Sequence, residues 1–139
     1  MVRPRLRRAP RASIGADPFV KRLGIETLAL RPGHSRMRLV VDPSMVNVHG
    51  SAHGGAIFAL ADAAFAAASN ARGDPAVALT MSIQFLDAAR SGATLVAEAR
   101  EERLGRRAAF YAMTVRDETG RTIATCQGVV HRRPGEGGS

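Results

Sequence analysis

The hydrophobic pattern of the chain divides into six strand-like runs and one helical run. Residues 24–30 (GIETLAL) and 35–42 (SRMRLVVD) flank RPGH, whose Pro32 and Gly33 are turn residues on steric grounds, so the two runs predict a β-hairpin. Residues 76–87, 93–102, 106–117 and 121–131 are four further strand candidates, and the turns AARSG, RLG and DETG between them imply antiparallel pairing. Residues 44–53 carry no clean period and read as a structured loop leading into Gly54 and Gly55. From Ala56 to Ala71 the residues are mostly Ala, Leu, Ile and Phe, strong helix formers in the main, and Gly73 and Pro75 stop the helix. A surface helix shows a polar face. This one shows almost none, so burial on all sides is expected. Two strands, a buried helix and four strands predict an α+β fold: a six-stranded antiparallel sheet curved around a central helix.

The length of 139 residues suits one domain. Residues 18–132 are expected to form it, with residues 1–17 a disordered basic tail and residues 133–139 a Gly-rich disordered tail. The net charge of +8 belongs largely to the first tail: residues 1–13 hold five arginines and no acid, and the remainder carries 15 basic against 12 acidic residues. A body so mildly basic demands no nucleic acid. The tail lacks the apolar run of a signal peptide, and the longest apolar segment is broken by Asp62, so a soluble cytoplasmic protein without a membrane span is expected. Cys126 is the only cysteine, which excludes an intrachain disulfide and a cysteine zinc cluster.

Asp62 is the one charge in HGGAIFALADAAFAAASN, residues 53–70. An ionised carboxylate in a dry interior costs several kcal/mol unless paired, hydrogen-bonded or hydrated. It could sit where the surface breaks through, or pair with an arginine from the sheet. It lies too deep in the helix to be a cap. The functional alternative starts from Gly54 and Gly55, because a glycine pair at a helix start lets a ligand approach free backbone N–H groups where the helix dipole is positive. Such donors stabilise a tetrahedral oxyanion, and a carboxylate nearby could activate water or attack directly. His53 and Asp62 are, however, some 12 to 14 Å apart along one helix. A symmetric dimer with antiparallel helices could bring Asp62 of one chain to Gly54 of the other. His49 and His53 have a metal-ligand spacing, but HGSAH reads as a loop with no third ligand, so neither metal nor cofactor is expected. Asn47 is either a turn residue or an amide aimed at a substrate oxygen. Arg72, Arg90, Arg103, Arg106 and Arg107 sit at element ends, and none stands out.

The stretch NVHGSAHGGAIFALADAAFAAASN closely resembles the signature of the PaaI-like thioesterases, the phenylacetic acid degradation branch of the hotdog-fold 4-hydroxybenzoyl-CoA thioesterase superfamily. The similarity extends over about residues 18–132. It implies a hotdog fold, dimers that assemble into homotetramers, and hydrolysis of acyl-CoA thioesters, aryl-acetyl or medium-chain, at the dimer interface. By the same resemblance Asp62 matches the catalytic carboxylate, as base or nucleophile. Gly54 matches the oxyanion donor, Asn47 an orienting side chain, and His53 the residue that shapes the loop. Gly55 and Phe65 would line the substrate, together with a small hydroxyl residue near the start of the third strand. The nearest alignments for that hydroxyl give Ala78, Thr80 or Ser82, so the chain departs from the family there. It departs again at FLDAARSG, where many members have proline. A hotdog module that binds acyl-CoA without cleaving it is the alternative, and a retained carboxylate in the helix argues against it.

Overall fold

The computed structural model describes residues 14–135. The disorder expected at residues 1–13 and 136–139 therefore lies outside the described residues, while Ile14 packs against the core ahead of Pro18. A short helix α1 (Pro18–Arg22) precedes β1 (Glu26–Arg31) and β2 (His34–Val40); a 3-10 turn (Pro43–Met45) and a loop lead to the long helix α2 (Gly54–Asn70). Strands β3 (Ala76–Phe85), β4 (Thr94–Leu104), β5 (Ala108–Arg116) and β6 (Thr122–Arg132) complete the chain. The six strands form one sheet in the order β1-β2-β4-β5-β6-β3, antiparallel throughout, as the turn lengths require. Only α1 and the 3-10 turn fall outside the elements read from the pattern.

Local chemistry sets the two ends of α2. At its C-terminus Asn70 donates through Nδ2 to the Ala66 and Ala76 carbonyls at 2.9 and 3.1 Å, and its Oδ1 accepts from Ala76 N–H at 3.0 Å, which fixes where β3 begins. The β1–β2 turn has Pro32 and Gly33 (φ 77) at its centre, and the Gly33 N–H donates to Ala68 O at 3.2 Å. On the sheet side, Ser35, Met37, Leu39, Leu95, Ala97, Ala99, Ala109, Tyr111, Met113 and Val115 are all at most 2% exposed, alternating along their strands as a half-buried sheet should. Alanines 61, 64 and 68 on α2 are fully buried and small, which lets helix and sheet approach closely. The buried Ser35 hydroxyl donates to Ala64 O at 2.6 Å, a polar tie between β2 and the middle of the helix.

The sheet does not enclose α2 completely. Gly55 and Phe58 are exposed, and Ala59, Asp62 and Ala66 are only half-buried, a stripe at helical spacing. Burial on all sides, expected from the apolar sequence, is therefore corrected for the single chain. The open stripe is itself apolar apart from Asp62, so its composition cannot distinguish it from core. No helix among the described residues is long and apolar enough to cross a membrane.

Candidate active site

The loop before α2 is a small, tightly bonded structure. Val46 and Ala52 form an isolated bridge, Asn47 N–H donates to Ser51 O at 2.8 Å, and Gly50 turns the chain at φ 82. The Asn47 Oδ1 accepts from the N–H groups of His49 and Ser51 at 2.9 and 3.2 Å. Asn47 is thus a turn residue, and its Nδ2 has no partner among the described residues. His53 is the N-cap of α2: its Nδ1 accepts from Gly55 N–H at 2.8 Å, which places the ring proton on Nε2, and its carbonyl accepts from Ala56 and Ile57.

This capping leaves one donor. The N–H groups of Gly55, Ala56 and Ile57 are all taken by His53, whereas that of Gly54 has no partner among the described residues. The free N–H sits at the positive end of a seventeen-residue helix, where an oxyanion is stabilised by the dipole as well as by the hydrogen bond. Gly54 and Asn47 share a pocket of about 480 Å³ with Ser51, Ile57, Phe85 and Leu86. A Cβ on Gly54 would lie 3.2 Å from Phe85 Cζ, so glycine keeps the N–H approachable beside that ring.

Asp62 lies on the open stripe of α2, eight residues beyond Gly54, about 12 Å along the helix. It is half-buried and has no hydrogen-bond or ion-pair partner among the described residues. Burial, and secondarily the charge of Asp17 ahead of α1, raises its pKa above the ordinary carboxylate value of 3.8. The arginine pairing considered from the sequence does not occur: Arg72 clamps Glu101 bidentately, and Arg90 pairs with Glu118 at 3.0 Å. An unpaired carboxylate with a raised pKa is suited to accept a proton or attack a carbonyl.

The remaining expected residues scatter. Phe65 is 1% exposed, its ring tilted against Tyr111 at a centroid distance of 5.6 Å and seated on Gly128, so it belongs to the core and not to a substrate wall. Thr80 and Ser82 pair with Val129 and Gln127 and line a separate hollow of about 210 Å³ with Phe110, on the sheet face away from α2. The reason is strand alternation: half-buried Met81 and Ile83 pair with the buried Gly128 and Cys126 and pack against the core on the helix side, so their neighbours point outward. Ala78, opposite the buried Val130, is the one of the three candidates on the helix side, and it carries no hydroxyl. Phe85 and Ile57 are pocket residues that the sequence reading missed; Phe85 follows from the same alternation carried to the end of β3.

One antiparallel sheet wrapped around a single long helix defines the hotdog class. The profile of the thioesterase superfamily matches residues 49–124, and the chain belongs to that superfamily, in its PaaI-like branch. It is 36% identical to the acyl-coenzyme A thioesterase PaaI of Escherichia coli over 116 residues, 84% of this chain and 83% of that protein. The solved structure of Escherichia coli PaaI, from the phenylacetic acid degradation operon, superposes with a TM-score of 0.86 at 35% identity, covering 90% of this chain and 91% of the other. A variant of the phenylacetic acid degradation protein PaaI of Thermus thermophilus gives a TM-score of 0.81 at 43% identity, with 84% and 100% covered. A Streptococcus mutans protein solved bound to acetyl CoA gives 0.76 at 28% identity, with 78% and 88% covered.

Proposed function

We propose that the chain hydrolyses acyl-CoA thioesters, aryl-acetyl or medium-chain, to free acid and CoA in the cytoplasm, as a homodimer that assembles into a homotetramer. Each site takes Gly54 and Asn47 from one subunit and Asp62 from its partner. The observation that carries the reading is Asp62: half-buried, unpaired, on an apolar stripe that the sheet leaves open, and a full 12 Å or so from the only free N–H of its own helix start. A second copy running antiparallel covers the stripe and closes the gap. Strand β3 supports the same partner, since its ten residues leave one edge of the sheet unpaired beside α2.

In this reading the thioester carbonyl oxygen accepts from Gly54 N–H, which draws electron density from the carbonyl carbon and holds the oxyanion that forms. The partner's Asp62 takes the proton of an attacking water, or attacks the carbon itself to give a transient anhydride that water then opens. Either way the C–S bond breaks as the oxyanion collapses, and CoA leaves as a thiolate that takes up a proton. Asn47, which lines the same pocket as Gly54, orients the thioester through Nδ2. The test is thiol release across a panel of acyl-CoAs: Asp62→Ala should abolish turnover while the oligomer stays folded. Unchanged turnover in that variant contradicts the assignment, and saturable binding by the wild type without thiol release supports a non-catalytic binding module instead.

A further inference from the structure

Gly54, Phe58 and Asp62 are spaced four apart on α2 and form one ridge. At 3.6 residues per turn, each step of four turns the side-chain direction by about 40°, so Phe58 points along the bisector of the directions of Gly54 and Asp62. Phe58 is the largest exposed side chain on the helix, at 37%, whereas the helix's other phenyl ring below Asp62, Phe65, is buried at 1%. Nothing among the described residues accounts for an exposed ring there.

Symmetry supplies the account. In an isologous dimer with antiparallel helices, the two-fold axis crosses α2 midway between any two residues that face each other across it. If Gly54 faces the partner's Asp62, the midpoint is residue 58. From this we infer that Phe58 lies on the dimer axis, meets its own copy there, and is the residue that limits the length of the acyl group; the inference rests on the function proposed above. Gly54 lies about 6 Å from the axis, so the two catalytic centres are on the order of 12 Å apart with the ring pair between them. The thioester has two arms. The pocket beside Gly54 opens outward past Leu86, Asp87 and Ala88, all exposed, and takes the CoA arm. The acyl arm runs the other way, into the seam between the helices, where Phe58 is the nearest large exposed side chain of α2, one helical turn from Gly54. The paired rings close that seam and restrict each site to a compact acyl group, with an aromatic face available to an aryl one.

Two measurements test this. In a Cys126→Ala background, Phe58→Cys should cross-link to itself with a short bis-maleimide. Ala66→Cys, on the same stripe but about 12 Å from the axis, should not. Phe58→Ala and the gentler Phe58→Leu should shift the kcat/KM ratio of dodecanoyl-CoA to phenylacetyl-CoA in favour of the long chain, by tenfold or more for alanine. A protein that remains dimeric by sedimentation yet fails to cross-link at position 58, or whose acyl preference is the same in all three forms, overturns the inference while leaving the hydrolase intact. Cross-linking at position 58 in a wild-type protein that hydrolyses no acyl-CoA would support the axis geometry and contradict the proposed function instead.

Discussion

Replacing Gly54 by proline removes a single N–H and little else. Gly54 is the first residue of α2, where proline is well tolerated because that N–H has no partner inside the helix. The preceding residue must be extended for proline to follow, and His53 already is, at φ −62 and ψ 137. A new Cβ would lie 3.2 Å from Phe85 Cζ, and that ring is 52% exposed, while the proline Cδ takes the place of the amide hydrogen. Gly54→Ala makes the same demand on Phe85 but keeps the N–H, so it measures the cost of the Cβ, and the difference between the two variants measures the N–H together with the Cδ that replaces it. Loss of one oxyanion donor typically lowers kcat by a factor of about 10² to 10³, or roughly 3 to 4 kcal/mol of transition-state stabilisation. Gly54→Ala is expected to stay within about tenfold of wild type, because an exposed ring relaxes at small cost. The assay is steady-state thiol release from phenylacetyl-CoA, with circular dichroism to confirm the helix. If proline and alanine variants turn over at similar rates in a folded protein, the Gly54 N–H is not the oxyanion donor.

Asp62 gives two linked expectations. Its pKa is raised on folding, chiefly by burial, so the folded chain holds the proton more tightly than the unfolded one: the carboxylate is without cost in acid, begins to destabilise as pH rises through the unfolded value, and does so fully above the folded value. Asp62→Asn should therefore raise Tm at neutral pH, with the gain vanishing in acid, and a gain independent of pH would contradict the assignment. The acid limb of kcat/KM in the wild type should have its midpoint above 3.8, and a limb at or below the ordinary carboxylate value would remove Asp62 as the titrating group. In the core, a Cβ on Gly128 would meet Phe65 Cζ and Cε2 at 2.6 and 2.7 Å, so Gly128→Ala should destabilise by about 1 to 3 kcal/mol. Combining it with Phe65→Leu should recover part of that loss, and strictly additive denaturation midpoints would show that the two positions are not in contact.

The sequence made the scaffold legible because short turns force antiparallel neighbours and the strands alternate cleanly. Each of the six strand runs became a strand, and the helix stops at Asn70 with Gly73 and Pro75 behind it. The candidate site was legible in part. Asp62 stands out because a charge in an apolar helix needs a reason, and Gly54 because glycines at a helix start leave N–H groups approachable. That Gly54 alone is free, with Gly55 occupied, depends on the His53 ring folding back as a cap, which spacing does not reveal. Phe58 and Ala59 read as core because the open stripe of α2 is as apolar as its buried faces, and an apolar pattern cannot tell the two apart. Thr80 and Ser82 could have been set aside by continuing the alternation from Met81 and Ile83, which points them away from the helix.

The central claim is that each active site draws on two chains, and mixing two inactive variants tests it most directly. Asp62→Ala subunits retain the Gly54 donor, and Gly54→Pro subunits retain the carboxylate. A heterodimer of the two contains one complete site if the site spans the interface and none if it lies within a subunit. With random reassociation of equal amounts, half the dimers are mixed, and the pool should recover about a quarter of wild-type thiol release per subunit. Activity that remains at the level of the separate variants, in a pool shown to contain heterodimers, would contradict the shared site.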